Sequence, residues 1–103
     1  MSRHYKRGEH FHNHSDLKEW DDMPLKRKWL NLKESNPHMV ILCKIGKFYE
    51  LFHQDADVFT ELTDAPYMKG KIAHTGFPAT RVDDFVEKLE ANGYDEIGIL
   101  YPN

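Results

Sequence analysis

KIGKFYELF, residues 44–52, runs through a Gly-Lys pair into three aromatics within five residues. Upstream of the pair lies the apolar run MVILCKI, residues 39–45, and downstream come Phe48, Tyr49, Leu51 and Phe52. Two such runs separated by two residues, one of them glycine, predict a tight hairpin with strands at 38–45 and 48–53 and Gly46-Lys47 at the turn. In the second strand, alternation puts Phe48, Glu50 and Phe52 on one face and Tyr49, Leu51 and His53 on the other. Glu50 is the anomaly, because a carboxylate is costly to bury unless something hydrogen-bonds it. Two readings stay open at this point. Either the hairpin is plain core, or Phe48 and Glu50 stand side by side at a strand end, available to a partner.

Outward from the hairpin the periodicity changes. A helix is expected from near Asp22, with Pro24 in its first turn and Asn36-Pro37 ending it. Leu25, Trp29 and Leu32 share one face with Lys28 at its margin, while Lys26, Arg27, Lys28 and Lys33 decorate the rest, read as a solvated helix face with a phosphate-facing surface as the alternative. Beyond the hairpin a helix is expected over 55–62, with Val58, Phe59 and Leu62 inward, and Ala65-Pro66-Tyr67 breaks it. MKGKIAHTGFP, residues 68–78, reads as a second hairpin with Gly70 and Gly76 supplying turn freedom. Val82, Phe85, Val86 and Leu89 form an i, i+3, i+4, i+7 stripe. Thr80 with Asp83 resembles a cap before that stripe, and Gly93 is a helix stop after it. EIGILY, residues 96–101, is a last strand. Hairpins interspersed with helices predict an α+β domain, a small mixed sheet packed against about three helices. The folded part is 20–103, and residues 1–19 form a flexible polar segment without sustained periodicity. Its alternating His10, His12 and His14 have no evident carboxylate or Cys partner, so no metal site is expected there.

The composition fits one soluble domain: 103 residues, 40% hydrophobic, 13% aromatic, with a mean hydropathy of −0.72. No apolar run reaches membrane-spanning length and no charged-then-apolar leader opens the chain, so no membrane partner is expected. Cys43, the single cysteine, reads as a small buried hydrophobe in an apolar strand. Catalytic patterns are missing. There is no GxxxxGK[ST] phosphate loop, no H-E-x-x-H and no G-x-S-x-G. A Cys43–His74 nucleophile is disfavoured because an apolar strand opposes the thiolate. Asp83 and Asp84, adjacent on a helix, point in different directions. The expectation is therefore a non-enzymatic chain with no cofactor and no catalytic residue. Charge is unevenly divided: residues 1–54 hold ten Lys/Arg against seven Asp/Glu, and residues 55–103 hold four against ten. A polyanion would meet the first half more readily.

An exposed aromatic beside a carboxylate suits nucleic acid, since a ring can wedge into a base step and a carboxyl can hydrogen-bond a base edge. GKFYELF resembles the Gly-x-Phe-Tyr-Glu motif of the amino-terminal domain of MutS mismatch-repair proteins. The resemblance continues in order through YELFHQDAD, MKGKIAHTGFP and FVEKLEANGY, covering about residues 25–97. Lys47 after the glycine and the MKG…AHTGFP segment look most like the eukaryotic sixth MutS homologue. This resemblance implies a MutS domain I-like fold and binding to double-stranded DNA carrying mismatches. It implies that Phe48 stacks on a mispaired base from the minor groove and that Glu50 hydrogen-bonds it, with Lys47 and Met68 close by. It also implies other MutS-type domains or a MutS homologue as partner, and a nuclear location if the source is eukaryotic. ELTDAPY and DEIGILYPN depart from the family pattern. With the net acidity and short chain, they motivate an alternative expectation, a stand-alone module of the same fold used for protein interaction or structure.

Overall fold

The computed structural model describes residues 26–68 and 73–101. The element order is α1 (Lys26–Ser35), β1 (Val40–Ile45), β2 (Phe48–Phe52), α2 (Gln54–Thr63), β3 (His74–Pro78), a 3-10 turn (Ala79–Arg81), α3 (Val82–Ala91) and β4 (Ile97–Leu100). The strands form one sheet in the order β3-β2-β1-β4, antiparallel at β1–β2 and β2–β3 and parallel at β1–β4. The expected α+β class with a small mixed sheet is the one found. The expected start of α1 near Asp22, its Pro24 and Leu25, the tail histidines, and Gly70, Lys69 and Lys71 lie outside the described residues.

The hairpin forms where the Gly-Lys pair places it. Gly46 takes a φ of 58°, open to glycine and resisted by a Cβ, and Ile45 pairs with Phe48 across the turn. The sheet then buries its two faces differently. On one face Trp29 of α1 packs over Ile41, Cys43 and Phe52. On the other, Val40, Leu42, Tyr49, Leu51 and Phe77 meet Phe59 of α2 and Leu89 of α3. Phe59, Phe77 and Phe85 form an aromatic cluster with ring centroids 4.6–5.3 Å apart. The expected stripe of Val82, Phe85, Val86 and Leu89 faces this core. After α3, Gly93 at a φ of 91° closes the helix: Tyr94 N donates to Leu89 O at 3.0 Å and Gly93 N to Glu90 O at 3.1 Å. That pair of bonds is a Schellman motif.

Three expectations are corrected. Lys33, expected on a solvated surface, is buried: its Nζ donates to Asp55 Oδ1 at 2.7 Å and to the Met39 carbonyl, and lies 5.4 Å over the Trp29 ring. It follows Trp29 by one helical turn, so it shares the inward face. Gly76, expected at a turn, lies mid-strand in β3 opposite Glu50. β3 pairs with β2, and Met68 N donates to His74 O at 2.7 Å, while the turn expected at Gly70 lies outside the described residues. Thr80 and Asp83 do not form a cap. The chain enters α3 through the 3-10 turn, where Val82 N donates to Ala79 O, and no side chain caps either helix start. The elements are otherwise within two residues of their expected bounds.

Candidate nucleic-acid interface

Among the described residues, the α1 side of the sheet is covered at one end and more open at the other. Trp29 reaches Phe52, Cys43 and Ile41, whereas Phe48 at the turn end is 44% exposed. Strand alternation does this. In β2, exposed Phe48 and half-buried Glu50 are on the Phe52 face, while Tyr49 and Leu51 are buried on the other. Phe48 stands between Ile45 and Pro78 in register, and Glu50 between Cys43 and Gly76. Lys47 is exposed at the turn, where its carbonyl accepts from Ala79 N at 2.8 Å.

Gly76 explains how Met68 joins this group. A Cβ built there would lie 2.8 Å from the Tyr49 carbonyl oxygen, 3.2 Å from Glu50 Cγ and 3.3 Å from Met68 Cε. The Met68 methyl and the Glu50 side chain therefore share the space over a bare backbone. Of the four residues singled out in the sequence, Phe48, Glu50 and Met68 line one rim, with Lys47 at its edge.

The electrostatics of the rim centre on Glu50. Its side chain is 19% accessible, and burial raises its carboxyl above the ordinary value. The nearby imidazole of His74 pulls the other way, with Nε2 at 3.9 Å from Glu50 Oε1. Beneath lies Cys43, whose thiol is pushed up to about 12 by burial and by the Asp55 and Glu50 carboxylates, so the Cys43–His74 nucleophile has no thiolate. A half-desolvated carboxyl beside an exposed ring can accept a hydrogen bond from a base N–H, or donate one after taking up a proton.

Sequence reasoning missed two residues. His74 was visible only as one member of an unlikely nucleophile; its place opposite Phe52 depends on the β2–β3 register, which no local pattern contains. For Lys33 a signal existed, since it lies four residues after Trp29 on the inward stripe, and a buried ammonium calls for an acid such as Asp55. Among the described residues no group of three or more His, Cys, Asp or Glu could hold a metal ion, and no helix is long and apolar enough to cross a membrane.

Among the described residues, a four-stranded mixed sheet with three helices, and an exposed aromatic beside a carboxylate at one end of it, define a small α+β domain. The chain belongs to the MutS domain I family, which matches residues 23–99. It is 42% identical over 71 residues to the probable DNA mismatch repair protein Msh6 of Drosophila melanogaster, and 41% identical over 71 residues to the human DNA mismatch repair protein Msh6. To the DNA mismatch repair protein MutS of Rhizobium meliloti it is 32% identical over 77 residues. Each alignment covers 69% of this chain but only 6%, 5% and 8% of the respective relative. The chain thus matches a small part of much longer proteins.

Proposed function

We propose that this chain probes duplex DNA for mispaired bases, with Phe48 as the wedge and Glu50 as the group that hydrogen-bonds the displaced base. The exposure of Phe48 beside half-buried Glu50, in a MutS domain I chain, carries this reading. Unstacking a base step costs a few kcal/mol, least where pairing is already faulty. Stacking on an aromatic ring returns about 1–3 kcal/mol. A mismatch tips that near-balance, and a sound duplex does not. Glu50 sharpens the choice because a carboxylate facing DNA is repelled unless it finds a donor or gains a proton. Lys47 supports the backbone and Met68 the flank of the probed base. The domain acts without catalysis or cofactor, alongside other MutS-type domains or a MutS homologue subunit. Likeness to the eukaryotic Msh6 proteins supports a nuclear location.

Titration of G·T-containing and fully paired duplexes with residues 1–103 at two salt concentrations tests this. Few cations border the rim among the described residues, and the net charge is −3, so the salt slope is shallow. Binding falls in the non-specific range of about 10⁻⁴–10⁻⁶ M, with little mismatch preference until flanking domains clamp the duplex. Exposed Ile99 (43%) and Tyr101 (56%) on and beside outer strand β4 favour a second reading, a protein-interaction module. Indifference to DNA, alone and within a MutS-type assembly, would select it.

A further inference from the structure

Glu50 is not simply exposed to a polyanion; among the described residues it has a basic neighbour in His74. His74 Nε2 lies 3.9 Å from Glu50 Oε1, within ion-pair range but too far for a hydrogen bond. The imidazole stacks on Phe52 at a 5.6 Å centroid separation and 23°, and the backbone that carries it is fixed where the His74 carbonyl accepts from Met68 N at 2.7 Å. Gly76, two residues on, leaves the space in which Glu50 and the Met68 methyl meet. The surrounding elements add no competing charge change among the described residues. From β1, Cys43 faces Glu50 with a thiol held protonated to about 12. From α1 and α2, Lys33 and Asp55 bear on Cys43, whereas the charged group bearing on Glu50 is His74. An imidazole is the side chain suited to gaining a proton between about pH 5 and 8.

We propose that His74 is a positioning residue for Glu50: its protonated imidazole neutralises the carboxylate at the rim, so that engagement of a mismatched duplex draws one proton onto the Glu50–His74 pair. This rests on the reading of Phe48 and Glu50 as the mismatch probe. The approaching phosphates raise the proton affinity of both groups, and the pair meets the duplex without net negative charge. Binding therefore weakens as pH rises, and one proton limits the effect to about tenfold in Kd per pH unit.

Two readouts on the 103-residue chain test this. The first needs no DNA. The carboxyl carbon of Glu50 is followed by NMR against pH in the native chain and in His74→Gln, and its midpoint moves upward in the variant. An unmoved midpoint overturns the pair. The second follows a fluorescent G·T duplex from about pH 6 to about pH 8, where an imidazole titrates, with amide shifts of residues 48–50 reporting where it binds. Native Kd rises with pH; His74→Gln binds more weakly with a flatter profile; His74→Lys restores binding at the upper pH with an equally flat one, since its ammonium keeps its proton. The other histidines are common to all three chains and cancel in the comparison. Perturbation of residues 48–50 with a native-like slope in His74→Gln overturns the role of His74 alone. A duplex that leaves residues 48–50 unperturbed both in this chain alone and within a MutS-type assembly overturns the mismatch-probe reading itself, and proton uptake with it.

Discussion

Lys33 Nζ and Asp55 Oδ1 are 2.7 Å apart in a buried pair that ties α1 to the first turn of α2. The other carboxylate oxygen accepts from Ile41 N at 3.0 Å, beyond the last β1–β2 pair, where the chain leaves β2 through His53 at a φ of 56°. One side chain thus fastens two helices to the central strand. This holds α1 over the Phe52 end of the sheet and leaves the Phe48 end bare. Removing one member of a buried pair strands the other, at about 3–5 kcal/mol. Lys33→Ala is expected to lose that much in urea unfolding, whereas exposed Arg27→Ala should stay within about 0.5 kcal/mol.

The same pair sets a pH dependence. Burial raises the Asp55 carboxyl from 3.8 to about 6, against the downward pull of Lys33 and the Ile41 N–H. Between those values the folded chain holds a proton that the unfolded chain has released, so raising the pH favours unfolding. Stability is expected to fall as pH climbs from 3.8 to about 6. Asp55→Asn should flatten that part of the profile, measured as urea midpoints across the range.

Gly76 is the point at which β3 comes closest to the rim. A methyl group there meets the Tyr49 carbonyl at 2.8 Å, and backbone cannot swing aside as a side chain would. Gly76→Ala is expected to cost about 1–3 kcal/mol, as overpacking does. It should also shift the NMR signals of Glu50 and Met68. A native-like spectrum would show that the two strands have more room than their register implies.

Phe48→Ala separates a displayed ring from a core ring. Deleting buried Phe77, 3% exposed, should cost about 3–5 kcal/mol. Deleting Phe48, 44% exposed, should leave the melting temperature almost unchanged. Comparable losses from the two variants would assign Phe48 to the core.

Most of the fold was legible because it is written in local chemistry. The Gly46-Lys47 turn, the 82–89 stripe and the Gly93 stop each depend on residues a few positions apart, and each formed as expected. Strand alternation was enough to place Phe48 and Glu50 on one face with Tyr49 and Leu51 on the other. Partnership across the sheet was not legible. Gly76 looked like a turn residue because glycine's commonest use is conformational freedom, whereas here its use is the absence of a Cβ opposite Glu50. Lys33 looked solvated because its acid lies 22 residues away, across a hairpin. His74 gained a role only when the register placed it opposite Phe52 and beside Glu50.

A transplant decides whether Phe48 and Glu50 read a mispaired base. Residues 23–99 would replace the corresponding segment of the Rhizobium meliloti MutS protein, and affinity for a G·T duplex would be compared with that for a fully paired one. The chimaera with Phe48 is expected to prefer the mismatch. Phe48→Ala, with an unchanged melting temperature, is expected to bring the two affinities together. A Phe48→Ala chimaera that keeps the full preference would contradict the claim.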